Sequence, residues 1–451
     1  RSAPPRSRQP RSVAVATSSS TVVPEMACSQ EALRLPAKYG ISVVTHEVAS
    51  LPALRECKAG VATLYLTNAA GRAAFSINEN ADPDVQSDLF RSLAKIASAE
   101  SLGEESAVAA RAAFLGPSLE IPIHDGRLAL GTWQGIYLVD WDKHESVEER
   151  EILVTVEPCA NVQDTVRRSI RAPKRGCTLM RNPPALPKGA GAADIGVVNF
   201  FLQHTSASLA LNENADEDVQ RDLANALDSI VPESWNEWFD HTDEGPDDMP
   251  AHVKCALVGP SLSLPVRGGR PLTGTWQGLY LNEHRSTATE RQCLVTLSSP
   301  PAGAVAEQCT ISVTAPSRGC HALDAEALGA KVEAIVAKVC TGRAHFFCKH
   351  TSASLAIAGA GDGAPLEAAL NAVVPEAWHH NMFTHVMEGP DDMTAHVKQT
   401  LLGAGVSVPI TDGRLVFGDG AALFLCEHRN QGGWGGGHTR QIVVTVTGNP
   451  L

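Results

Sequence analysis

The chain repeats itself three times, and that repetition limits what it can fold into more than any single residue does. GRLALGTWQGIYL (126–138) returns as GRPLTGTWQGLYL (269–281) and, worn, as GRLVFGDGAALFL (413–425). SINENADPDVQSDL (76–89) matches ALNENADEDVQRDL (210–223), QHTSASLAL (203–211) matches KHTSASLAI (349–357), and HTDEGPDDMPAHVK (241–254) matches HVMEGPDDMTAHVK (385–398). A repeat this long is one folding unit used again. We therefore read three homologous copies, 37–158, 159–300 and 301–451, with Pro- and Ala-rich joints such as Ser298 to Gly303 between them. About 150 residues per copy suits one domain each.

Within the middle copy the pattern reads as α+β. Val197 to Leu211 is strand-like. Asp216 is a helix N-cap, and its counterpart Asp82 precedes Pro83, a favoured first helical residue. Val219, Leu223, Leu227 and Ile230 then make one apolar helical face. A second helix runs from near Asp248 to Gly259. Leu262 and Leu264 alternate with serines as in a half-buried strand. Gly268-Gly269, like Asp125-Gly126 and Asp412-Gly413, is a hairpin turn. Strands follow at Leu272 to Asn282 and Gln292 to Leu297. Each copy is thus expected to be a mostly antiparallel sheet packed with two helices.

Composition excludes several classes. At 43% hydrophobic and 19% charged residues the chain suits a packed globular fold. No window reaches the roughly 18 apolar residues of a membrane span. A net charge of −13 opposes general nucleic-acid binding, which needs a basic face. Eleven scattered cysteines with no CxxC read as reduced intracellular thiols. Residues 1–36 stand apart as a leader. Arg1, Arg6, Arg8 and Arg11 with many Ser, Pro and Ala make it either a plastid or mitochondrial transit peptide or a plain tail on a cytoplasmic protein.

The second copy carries His204, His241, His252 and His284, and the third His350, His385, His396 and His428. They are separated by 37, 11 and 32 residues in one and by 35, 11 and 32 in the other. These eight are half of the 16 histidines, and imidazole suits zinc or another transition metal. The alternative for each is a hydrogen-bonded structural histidine. His252 lies in the first turn of its helix, where the dipole keeps the ring neutral. By the period of two, His204, Ser206 and Ser208 share a strand face, as do Ser352 and Ser354 with His350, and the hydroxyls are candidates for a phosphate. The acids of EGPDD (Glu244, Asp247, Asp248; Glu388, Asp391, Asp392) are placed to orient histidine or to hold magnesium with pyrophosphate, although Asp248 also reads as a helix cap. Arg285 and Arg429 are candidate phosphate partners. Asn78, Glu79, Asn80, Trp133 and Gln134, with Asn212, Glu213, Asn214, Trp276 and Gln277, are candidate substrate contacts, Trp276 reading equally as core. The arginines at 127, 270 and 414 and at 150, 291 and 440 recur in all copies and read as structural.

HTSASLALNENADEDVQ, EGPDDMPAH and GTWQGLYLNEHR, in that order, resemble the YjbQ family, called secondary thiamine-phosphate synthases. The resemblance implies small α+β units that assemble as trimers, so that three tandem copies make an intrachain pseudo-trimer and a monomer in solution. It implies a transferase joining a pyrimidine pyrophosphate to a thiazole phosphate, with small phosphate-bearing substrates. A metal-dependent hydrolase of another substrate and a binding protein with decayed sites are the alternatives.

The copies have lost their motifs in blocks. The first keeps NEN and TWQG, but its HTSAS has become 70–74, Asp140-Trp141-Asp142 replaces Glu-His-Arg, and EGPDD is missing. The third keeps the histidines, but NEN has become Ala358-Gly359-Ala360 and Trp-Gln has become Gly420-Ala421. Loss of complementary halves points to sites shared between copies. If each histidine set faces the amide set of the preceding copy, two complete sites survive and one seam has lost both halves. Gln134 then lies near His204, and Gln277 near His350.

Overall fold

The computed structural model describes residues 28–69, 71–143, 146–188, 194–287, 289–430 and 438–451; the first 27 residues of the leader and Ala70 lie outside it. The leader boundary set at residue 36 falls too late. Ser29–Pro36 is a strand that pairs antiparallel with Glu149–Pro158 along its whole length. Its alternating half-buried and exposed residues, SQEALRLP, are a strand pattern that follows directly on the Ser- and Pro-rich composition.

Each copy folds as an antiparallel five-stranded sheet and a three-stranded sheet with the same strand order. In the second copy the larger sheet runs Arg270–Pro271, Ser261–Arg267, Ile195–Leu202, Arg291–Ser298, Thr165–Ile170. The smaller runs Gly176–Leu179, Gln277–Glu283, Ala207–Glu213. The single strand expected over Val197 to Leu211 is therefore two strands in different sheets. The chain crosses between them at His204-Thr205-Ser206, where the Ser206 N–H donates to His204 Nδ1 at 3.0 Å. The expected strand from Leu272 likewise breaks. Only Gln277–Glu283 pairs in the small sheet, and Thr273 to Trp276 form a loop. The hairpin turns are as read, with positive φ at Gly268 and Gly269 (54° and 75°), Asp125 and Gly126 (50° and 73°), and Asp412 and Gly413 (48° and 74°), the signature of a type I′ turn.

Two longer helices per copy are present: Asp218–Ile230 and Asp248–Val258 in the second, Pro83–Ile96 and Glu104–Leu115 in the first, Gly363–Val373 and Asp392–Leu402 in the third. The first and third copies add helix where none was expected, at Thr45–Ala49, Pro52–Glu56 and Ala325–Val336. The second has Pro183, Pro184 and Pro187 in that place, and proline lacks the amide a helix interior needs.

The copies do not sit apart. One core joins helix residues of all three, among them Leu89 and Phe114, Leu223 and Leu257, Leu370 and Leu401. Each sheet core also receives side chains from the next copy. Phe201 and Leu294 enter the first, Phe347 and Val443 the second, and Tyr65 of the first copy enters the third. The ring is closed. At every seam a loop glycine comes against the backbone of the next copy: an ideal Cβ would stand 2.6 Å from Gln203 O at Gly131, 2.6 Å from Lys349 O at Gly274 and 2.1 Å from Thr67 O at Gly418. Only glycine permits that approach. All eleven cysteines are free thiols, and no helix among the described residues is long and apolar enough to cross a membrane.

Candidate functional site

At the seam between the first and second copies, Asn78 is the last buried residue of the strand Ala73–Glu79, and its amide reaches across. Its Nδ2 donates to His252 O at 2.9 Å, and its Oδ1 lies 2.8 Å from His252 Nδ1. That leaves His252 Nε2 facing Glu79 Oε2 at 3.4 Å and Asp248 Oδ2 at 3.6 Å. His241 stands beside it, Nδ1 2.6 Å from Asp82 Oδ2 and Nε2 2.9 Å from Asp248 Oδ2. One ligand atom from each of Glu79, His241 and His252 lies within 4.8 Å of the others. The second seam repeats this with Glu213, His385 and His396. There His396 Nε2 is 3.3 Å from Glu213 Oε2, and His385 Nδ1 is 2.6 Å from Asp216 Oδ2.

Asp248 and Asp392 do not cap their helices. The N-cap position falls to Asp247 and Asp391, and neither makes a capping hydrogen bond. The Asp248 carboxylate is divided between His241 and Arg285, and that of Asp392 between His385 and Arg429. Arg285 is further engaged by Asp247 at 3.3 Å and by the Glu244 carbonyl at 2.8 Å. Arg429 has the same partners in Asp391 and Glu388. These arginines, expected on phosphate, are occupied by the acids of EGPDD.

His204 and His350 lie apart from the two triads, although His350 lines the same cleft as Glu213 and His396. Their Nδ1 atoms accept from the backbone of Ser206 and Ser352. His204 Nε2 meets the Arg291 guanidinium, so that arginine touches the site while its other nitrogens hold Glu283. Burial first and the nearby arginine second push both imidazoles down to about 3. His284 and His428 are buried behind the site on Ser208 and Ser354, at 3.0 and 2.8 Å. Those two hydroxyls, expected on a phosphate, have no access to one, whereas Ser352 lines the cleft.

The electrostatics of the second seam are set by carboxylates. Burial opposes charge on His385, but hydrogen bonds to Asp392 and Asp216 outweigh it and raise the ring to about 9. Burial likewise opposes charge on His396, but Asp392 and Glu213 raise it; at the first seam burial outweighs Glu79 and lowers His252, the ring expected to stay neutral, to about 4. Burial works to raise Asp392, yet the two histidines hold it well below the usual carboxylate range.

The amide sets divide. Gln134 Nε2 donates to Leu202 O at 2.9 Å and His204 O at 2.8 Å, and its Oε1 accepts from the Gly131 N–H. Gln277 does the same with Cys348, His350 and Gly274. Both glutamines fasten one copy to the next, with no N–H left for a substrate. Asn80 and Asn214 bind the carbonyls of their own TWQG loops, Gln134 O at 3.4 Å and Gln277 O at 3.2 Å. Trp133 and Trp276 are not core; they are 60% and 61% exposed. Trp276 lines a cleft of about 460 Å³ with Glu213, Lys349, His350, His396 and Arg429.

Four acids of the site are not among the residues singled out from the sequence for it, although Asp82 and Asp216 are read there as helix caps. Asp82 and Asp216 orient His241 and His385. Asp82 also caps its helix, whereas Asp216 bonds the Asp218 N–H and the N-cap falls at Glu217. Asp88 and Asp222 accept the backbone N–H of His241 and His385 at 2.9 and 2.8 Å. A signal for the second pair was present. Asp88 and Asp222 recur in the two copies that keep NEN, and the third reads GAGDGAPLEAAL there.

The sequence profile of the family described as "UPF0047 protein YjbQ-like" matches residues 31–158, 187–299 and 310–449. The YjbQ protein of Escherichia coli O157:H7 is 48% identical over 104 residues, 23% of this chain and 74% of that protein. A UPF0047 protein of Synechocystis is 46% identical over 103 residues, 23% of this chain and 69% of that protein. A crystal structure of a conserved hypothetical protein from Thermus thermophilus is 30% identical, with a TM-score of 0.25, over 29% of this chain and 98% of that one. Matched in three consecutive segments that span most of its length, the chain belongs to the YjbQ-like UPF0047 family as a tandem triplication.

Proposed function

We propose that this chain is a metal-assisted enzyme with two composite sites that acts on small phosphate-bearing substrates, and that its reaction is the thiamine-phosphate synthase-like joining of a pyrimidine pyrophosphate to a thiazole phosphate. The observation that carries the reading is the pair of matched triads, Glu79 with His241 and His252, and Glu213 with His385 and His396, each assembled across a seam. Two imidazoles and a carboxylate suit zinc or a similar transition ion, with room for a further ligand. The ligand atoms are close enough to converge on one ion with bonds of roughly 2.0–2.2 Å after small adjustments. The outer partners fit as well. Asp82 and Asn78 fix the far nitrogens of His241 and His252, as metal-bound histidines require.

A divalent ion held there supplies Lewis-acid stabilisation of charge on a phosphate oxygen. The chain's own residues supply the rest. Arg285 and Arg429 pair with Asp248 and Asp392 and keep these carboxylates aimed at the histidines, as anchors for the rings. Trp133 and Trp276, exposed beside the triads, offer a face for a heteroaromatic ring. In the full-length chain, zinc titration of metal-stripped protein is expected to give two equivalents, with one lost in Glu79→Gln and the other in Glu213→Gln. The wild-type gene is expected to rescue a thiamine auxotroph, and the double variant to fail. Two bound equivalents without rescue would favour the hydrolase alternative; no metal binding would overturn the reading.

A further inference from the structure

The two sites share their triads but not their rims. Where the second copy has Gln203, the third has Lys349. Gln203 is tied down, its Nε2 donating to Ala129 O of the preceding copy at 2.8 Å. Lys349 lines the cleft with Trp276, Glu213, His350 and His396, and its Nζ makes no hydrogen bond or ion pair among the described residues. The loop before EGPDD differs too. Thr242-Asp243 at one site becomes Val386-Met387 at the other, and Met387 is 94% exposed next to Glu388, itself part of the cleft lining. A neutral amide is thus exchanged for a cation and an acid for a thioether, so the second rim is two charges more positive.

We propose that the two sites have diverged in substrate, and that the seam between the second and third copies is the one selective for an aryl phosphate, with Lys349 contacting the phosphate and Trp276 stacking on the ring. This rests on the reading of the clefts as substrate sites. An unpaired ammonium in a half-enclosed cleft attracts an anion more strongly than the same group in open water, and it binds phosphate as a point charge. The seam between the first and second copies, with Asp243 where the other has Met387 and Gln203 in place of Lys349, offers the same ligand no such cation and one more negative charge.

Phenyl phosphate titrated calorimetrically into the zinc-loaded full-length chain tests this. One equivalent is expected to bind, with the second at least about tenfold weaker. Lys349→Gln, which imports the residue found at 203, is expected to weaken the first by about tenfold and remove its salt dependence. Lys349→Arg is expected to keep it within about threefold, and Gln203→Lys to strengthen the second equivalent. Far-UV circular dichroism checks that each variant folds. Two equal equivalents, no binding, or binding indifferent to Lys349→Gln would overturn the proposal. Zinc stoichiometry measured in parallel separates the readings. A Lys349-dependent single equivalent in protein that takes up no zinc sinks the metal site and leaves this inference standing; two zinc ions with equal phenyl phosphate sites do the reverse.

Discussion

The carboxylate on the far nitrogen of His241 or His385 decides what the ring can do. Asp82 is 2.6 Å from His241 Nδ1, and its loss frees the ring to rotate away from Glu79. Asp82→Ala is therefore expected to weaken zinc at the first seam by about 10- to 100-fold and to leave the second seam unchanged, as two-site zinc titration would show. At the second seam His385 holds its proton to about 9, so an ion entering there must displace it. In His241→Ala, which retains only that seam, zinc affinity should climb by at least about tenfold per pH unit from 7 towards 9, since His396 is raised as well, and then level off. The same proton affects the metal-free chain. An unfolded imidazole loses it near the ordinary value of about 6.5, the folded one only near 9, so this stabilisation is complete below pH 6.5 and lost as pH rises through 9. At this scale the sequence shows which residues matter more readily than what each does. Asp82 looks like a helix cap because it is one, and its second partner lies in another copy, 159 residues away. Trp276 reads as core because large apolar residues usually are; only the fold shows it standing at the mouth of a cleft.

Among elements, the short loops between strands determine the geometry of the seams. The TWQG loop delivers one glutamine into the next copy, where its amide donates to two backbone carbonyls. Gln134→Ala or Gln277→Ala is expected to cost about 1–3 kcal/mol, read as a lower denaturation midpoint at unchanged slope. The third seam has Ala421 in that position; there Tyr65 Oη donates to Phe417 O at 2.9 Å, and the Asp419 N–H donates to Thr67 O at 2.9 Å, beside Gly418 with φ of 82°. Gly418→Ala places a methyl group against that carbonyl in a left-handed conformation, and a destabilisation of at least about 1 kcal/mol should follow in the same denaturation experiment. Periodicity made the helices and hairpins legible, since those depend on neighbours along the chain. It missed the break at His204-Thr205-Ser206, because a run that stays apolar on both sides of a sheet crossing carries no sign of which sheet it joins. The additional helices of the first copy are five residues each, too short to show a period, and that of the third is interrupted by non-helical backbone at Gly329.

For the molecule as a whole, the shared cores matter most. No sheet core is completed by its own copy alone, and the helices of all three meet in one. Unfolding is accordingly expected as a single cooperative transition, with calorimetric and van't Hoff enthalpies in agreement, and light scattering is expected to give the mass of one chain at every concentration. Three separate transitions, or a mass that grows with concentration, would contradict the closed ring. The ring has a further consequence. An assembly of identical subunits must repeat every substitution at each of its junctions, so no junction can change alone. Here each junction is encoded once: a single codon can alter the cleft at one junction while the other two keep their residues unchanged.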